Sequence, residues 1–149
     1  MSGAGVNPYY QNCGLDSDTG VCFPNVAGSV HYYRNQSDWF QLTTAPLATN
    51  GQTSGPWQRP LFGSFGDAGR NSITGPRWFD SDLSVVKSFP IKEQLTMQFR
   101  AEAYNVFNHA NLGNPNGCVD CVGTGGGTIT SLANNASMRK MQFALRFQF

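Results

Sequence analysis

The sequence predicts an all-β protein of antiparallel strands joined by long Gly/Asn-rich loops, and three observations carry that reading. Only 13% of the 149 residues are charged, about half the usual share, and 17 Gly together with Asn, Ser and Thr fill the gap. Aromatics are plentiful, with 11 Phe, 5 Tyr and 3 Trp, a mixture that suits pleated strands and polar loops better than helices. Three segments in the second half alternate apolar and polar residues with a period of two. The length suffices for one modest domain with a core. A net charge of +1 points to neither nucleic acid nor an anionic membrane surface as partner. No apolar run reaches the ~18 residues of a membrane-spanning helix.

Two regions follow from the patterning. Residues 1–64 form a loop-rich N-terminal segment containing Cys13 and Cys22, and residues 65–149 hold the strands. The opening "MSGAGVNPYYQNCG" has neither a basic stretch nor an apolar one, so it does not read as a signal peptide. The chain is accordingly expected not to be exported by itself, or to be a piece of something larger. Up to residue 77 no period of 2 or 3.6 is sustained, although "HYYRNQSDWFQL" (31–42) has room for a short strand.

From Phe79 the character changes. In "FDSDLSVVKSF" Phe79, Leu83, Val85, Lys87 and Phe89 fall on one side, with Asp80, Asp82, Ser84 and Ser88 on the other, and "PIKE" reads as the turn. "LTMQFRAEAYNVF" then sets Leu95, Met97, Phe99, Ala101 and Ala103 against Thr96, Gln98, Arg100, Glu102 and Tyr104. Ala, Glu and Arg favour helix on propensity, but the alternation starts earlier and outweighs them. A long loop follows, in which "GTITSL" has the pattern of a brief strand. The closing "RKMQFALRFQF" alternates Met141, Phe143, Leu145, Phe147 and Phe149 with Gln142, Ala144, Arg146 and Gln148.

One apolar and one polar face per strand suits a soluble sandwich, with one face in the core and one in water. It equally suits a transmembrane β-barrel, with the apolar row on lipid and the polar row on the lumen. Strand lengths near ten residues, aromatics at Phe79, Phe89, Phe107 and Phe149 near strand ends, and alternating short and long connections favour the barrel. Leu95, Met97, Phe99, Met141, Phe143, Leu145, Phe147 and Phe149 then form the lipid or assembly face, and Arg100, Glu102, Lys140 and Arg146 the polar, lumen face. With a periplasmic C-terminus the 79–89 and closing strands run inward and the 95–107 strand outward. Lys87, the one charge in the apolar row, then lies near the periplasmic interface, where its stem can snorkel.

"GRNSITGP" (69–76), "DLSVVKSF", "QFRAEAYNVFNHANLGNP" (98–115) and "ITSLANNASMRKMQFALRFQF" resemble, in order and spacing, the C-terminal barrel region of TonB-dependent outer-membrane receptors. The nearest type is the Oar-like group with a carboxypeptidase-regulatory-like domain. The resemblance spans roughly residues 55–149; earlier residues match loosely, through "DWF" at 38–40. It implies an outer-membrane location, a non-catalytic part in a transport barrel whose other strands are partners, and a terminal Phe149 read by the outer-membrane assembly machinery. Family members resemble a 22-stranded barrel with an N-terminal plug, whereas the strands expected here are too few to close one and would leave open edges. An alternative follows: an extracellular, self-assembling filament or oligomer subunit in which those edges pair between copies.

The remaining motifs read as structure. Cys13, Cys22, Cys118 and Cys121 are disulfide candidates, or free thiols; "CVDC" lacks the His of a haem attachment site, and Cys13 and Cys22 are too far apart for a second zinc knuckle. Asp16, Asp18 and Gly20 match the start of a calcium loop without its distal Glu, so a turn is the better reading. His31 and His109 have no ligand partner at useful spacing. Asn105, Asn108, Asn111 and Asn114 are turn formers and backbone caps. "NQS" (35–37) and "NAS" (135–137) fit a glycosylation pattern too short to carry weight. "GTGGG" (123–127) precedes a β-like segment, so it reads as a flexible loop and not a nucleotide cradle. With no nucleophile–base pair, no enzyme activity and no cofactor is expected.

Overall fold

A computed structural model describes residues 3–11, 22–45, 47–61, 63–134 and 136–149. Among these residues there is no helix, and the strands pair antiparallel, as the alternation predicts. The chain packs as two compact units: Met1–Arg77 with Leu112–Ala133, and Trp78–Asn111 with Asn134–Phe149.

The first unit is built mostly from loops that carry a core. Its strands are two residues each: β1 (Gly5–Val6), β2 (Asn25–Val26), β3 (Thr53–Ser54), β4 (Trp57–Gln58) and β5 (Ile73–Thr74). β1 pairs with β5, and β4 lies between β2 and β3. Gly55 and Pro56 form the two-residue β3–β4 turn; Gly55 has φ +62°, and a Gly at the first central position is what a type II′ hairpin needs. Tyr10, Phe40, Leu47, Trp57, Ile73 and Val119 make the core. Phe40 meets Trp57 edge to face at 6.3 Å, and Trp57 donates its indole N–H to the Gln41 carbonyl at 2.8 Å, so the polar end of the ring is not stranded in the interior. Arg59 is buried here, its guanidinium donating to the Leu47 and Ala48 carbonyls and lying over the Tyr10 ring.

Cystines clamp this core. Cys118 and Cys121 form a disulfide, with Cα atoms 5.5 Å apart, and Cys22 is also disulfide-bonded; Cys13 lies outside the described residues. The Tyr9–Tyr10 segment runs between them: Tyr9 N–H donates to Gly117 O, Val119 N–H to Tyr9 O, and Tyr10 N–H to Cys22 O.

The second unit is one sheet of three long strands in the order β6 (Leu83–Lys92), β7 (Leu95–Tyr104), β8 (Lys140–Gln148). Two boundaries differ from the sequence expectation. Asp80 and Asp82 precede β6, because the Asp82 carboxylate instead accepts the Asn105 N–H at 3.0 Å. At the other end β6 runs through Pro90, Ile91 and Lys92, so the turn is Glu93–Gln94 and not "PIKE". Pro90 has no N–H for a further partner, but β6 is an edge of this sheet, where proline is tolerated. The register shifts between Pro90 and Lys92. Neither Glu93 nor Gln94 has positive φ, so the turn is not a primed type, and an irregularity beside it relieves the splay such turns impose.

Two other expected strands are not formed. Within 31–42 only an Asn35–Asp38 bridge appears, and "GTITSL" contributes only a bridge between Leu132 and Leu112. In both places side-chain and turn hydrogen bonds replace the ladder: Asn35 accepts from the Ser37 N–H, and Thr128 donates to Gly125 O.

Candidate membrane-facing and lumen-facing surfaces

The pairing register sorts the second sheet into two chemically distinct faces. Directly opposed residues of an antiparallel pair share a face. Leu83, Val85, Lys87 and Phe89 of β6 oppose Ala103, Ala101, Phe99 and Met97 of β7, which oppose Met141, Phe143, Leu145 and Phe147 of β8. Lys87 is the one charge among these twelve positions. The reverse face carries Ser84, Val86, Ser88 and Pro90, then Glu102, Arg100, Gln98 and Thr96, then Gln142, Ala144, Arg146 and Gln148.

The apolar face is exposed. Leu83, Val85, Phe89, Phe99, Met141, Phe143, Leu145 and Phe147 range from 37% to 64% accessible, and Phe149, beyond the end of β8, is fully so. Fully burying one such side chain is worth about 1.5–3 kcal/mol, so covering eight that are half exposed gains on the order of 10 kcal/mol. That equals the entire stability of an ordinary domain, which is why such a face is found covered. Its dimension fits a bilayer. Met141 to Phe149 spans eight residue rises, about 27 Å, and a strand tilted ~40° projects that onto about 21 Å, near the ~25 Å apolar band of outer-membrane barrels. Phe99 and Phe143 stack across the strands at 6.3 Å, firming the row.

The polar face is held by its own contacts. Arg100 pairs with Glu102, Tyr104 donates its hydroxyl to the same carboxylate at 3.3 Å, and Gln98 donates to the Ser88 hydroxyl at 3.5 Å. Register sets Arg146 beside Gln98 and Lys140 beside Tyr104. The four charged residues singled out from the sequence therefore share one face, with three cations to one carboxylate.

The sheet end carrying Tyr104 and Lys140 is closed by asparagines. Asn105, 4% exposed and in the left-handed region at φ 50°, donates to His109 O and Ser137 O and accepts the His109 N–H. Asn111 both donates to Phe79 O and accepts its N–H at 2.8 Å, and Asn108 accepts the Arg139 N–H. Phe79 packs against Phe107 at 5.8 Å and His109 at 5.7 Å, so His109 has a structural place.

In the first unit Cys118, Asp120 and Cys121 lie within ligand distance of one another, but the cysteines are joined as cystine and offer no thiolate for a metal. Asp16, Asp18, Gly20 and Asn135 lie outside the described residues. A groove of about 550 Å³ opens between residues 33–44 and the 122–128 loop. Sequence reading missed it, because its lining comes from segments with no periodicity. "GTGGG" forms one wall and is not a loose loop: Gly126 N–H donates to Cys121 O and Gly127 N–H to Asn116 O. A side chain at Gly126 would meet Cys118 O at 2.6 Å.

A sheet that is apolar on one face, charged on the other and of membrane-crossing length defines a wall of the outer-membrane barrel class. In agreement, the family model described as outer membrane beta barrel domain matches residues 1–142, and the chain belongs to that family. No curated protein and no solved structure matches it.

Proposed function

We propose that this chain is the C-terminal part of a TonB-dependent receptor barrel of the Oar-like type, a non-catalytic contributor to outer-membrane transport. The observation that supports the reading is the register of β6–β8, which makes eleven of the twelve paired positions on one exposed face apolar, with Lys87 the exception. In this reading the Glu93–Gln94 turn is periplasmic, the connection from β7 to β8 is external, and the apolar row meets lipid. Because β6 extends to Lys92, Lys87 lies level with Leu145 midway along the apolar row and not at its periplasmic end; its Nζ lies 6.0 Å from the Phe89 ring, toward the hairpin end of the strand, the direction in which a snorkelling side chain leans. Arg100, Glu102, Lys140 and Arg146 line the lumen. The remaining strands of the barrel are the partners, since the outer edges of β6 and β8 each present an unpaired ladder that lipid does not tolerate.

Those same edges favour a second reading, a self-assembling extracellular subunit that pairs β8 of one copy with β6 of the next. Purification of the full chain without detergent, followed by size-exclusion chromatography and negative-stain microscopy, separates the two. Aggregate dispersed only by detergent is the outcome expected of a barrel wall. Regular filaments or a discrete soluble oligomer would overturn that reading in favour of self-assembly.

A further inference from the structure

We propose that the groove of the first unit is a binding site for a neutral saccharide. Its volume of about 550 Å³ falls within the ~300–1,000 Å³ range of small-molecule sites. Three lining side chains make no hydrogen bond within the described residues: the Tyr33 phenol, the Asp38 carboxylate and the Gln41 amide. Together they offer acceptors and donors in the mixture that vicinal hydroxyls of a sugar satisfy, while the Tyr33 ring, Leu42 and Val122 supply apolar surface for its C–H face.

The charge balance narrows the class. Asp38 is the one charged residue among the described residues of the lining, so phosphates, sulfates and carboxylates are repelled and a neutral polyol is not.

The site is also held in shape before any ligand arrives. The Trp39 N–H donates to Gly127 O, the Gln41 N–H to His31 O and the Thr43 N–H to Val119 O, which fixes both walls. His31 packs edge to face on Tyr33 at 4.9 Å and orients that ring. Cys118–Cys121 anchors the glycine wall. Such preorganisation lowers the ordering cost of binding.

The test uses the full chain in lauryldimethylamine oxide, a detergent without a sugar headgroup, titrated calorimetrically with maltotriose, cellotriose and chitotriose, and with glucose 6-phosphate as the anionic counterpart. At least one trisaccharide should bind, and glucose 6-phosphate should not. Asp38→Ala should weaken binding about ten- to hundredfold and Tyr33→Ala about tenfold. Among the described residues neither side chain makes a hydrogen bond, and unchanged circular dichroism verifies the fold of each variant. Failure of all three trisaccharides to bind, or binding that survives both substitutions unchanged, would overturn the proposal.

Discussion

Lys87 stands directly opposite Phe99, a lone ammonium in a face whose other eleven paired positions are apolar. Depth decides what that costs. Near an interface a cation on a lipid face costs about 0–1 kcal/mol, whereas at the midplane it costs about 2–4 kcal/mol. Lys87 is level with Leu145, the middle of the Met141–Phe149 row, so Lys87→Leu should raise stability in a bilayer by about 2–4 kcal/mol, and Ala101→Arg, two pairs further from the hairpin, should cost a comparable amount. Ala144→Arg, on the reverse face, should be close to neutral. Urea titrations of the complete barrel that contains this chain, folded in phosphocholine vesicles, measure all three, and equal costs on the two faces would contradict the assignment.

Asn105 is the keystone of the sheet end. Asn105→Ala removes three side-chain hydrogen bonds, each worth about 1 kcal/mol, and puts at positive φ a residue that lacks asparagine's tolerance of the left-handed region. A loss of about 3–4 kcal/mol is expected. Asn105→Gly keeps the backbone geometry and should cost about 1 kcal/mol less. Hydrogen exchange at the His109 N–H reports the same event locally, and an unaltered exchange rate there would show that the hydrogen bonds carry no stability.

The Cys118–Cys121 cystine closes a small loop, for which chain entropy gives about 2 kcal/mol. Cys118→Ser with Cys121→Ser should lower the stability of the first unit by that amount and speed exchange at the Val119 N–H, which donates to Tyr9 O at 2.7 Å. β6–β8 amides should keep their protection. Loss of protection in both units together would mean they unfold as one.

Burial raises the Tyr10 phenol above its ordinary value near 10, against the opposing pull of the Arg59 guanidinium. The unfolded chain therefore loses this proton first as pH rises. Below pH ~10 both states hold the proton and stability is unaffected; above it the folded state binds more protons, so stability falls until the folded pKa is passed. Tyr10→Phe should flatten that alkaline limb in a thermal-melt series, and an unchanged limb would place its origin elsewhere.

Much of the second unit was legible because its information is local. Period-two alternation at Leu95–Ala103 and Met141–Phe147 fixes both strands and both faces, and the observed register adds only which residue meets which. Boundaries failed where tertiary partners decide them. Asp82 reads as strand until its carboxylate is seen capping Asn105, and Pro90 reads as turn until β6 is known to be an edge. The first unit was largely illegible: Tyr10, Trp57, Ile73 and Val119 meet across long sequence separations without any repeating pattern. The groove shares that origin, since Asp38 and Gly126 come together only after Trp39 is tied to Gly127.

Photo-crosslinking decides whether lipid covers the Met141–Phe147 row. p-Benzoylphenylalanine placed singly at positions 141 through 148, in cells making the protein, reports whatever lies against each site. Lipid adducts are expected at 141, 143, 145 and 147 and none at 142, 144, 146 and 148. Crosslinks from the odd positions to a second copy of the chain, with no lipid adduct, would contradict that expectation.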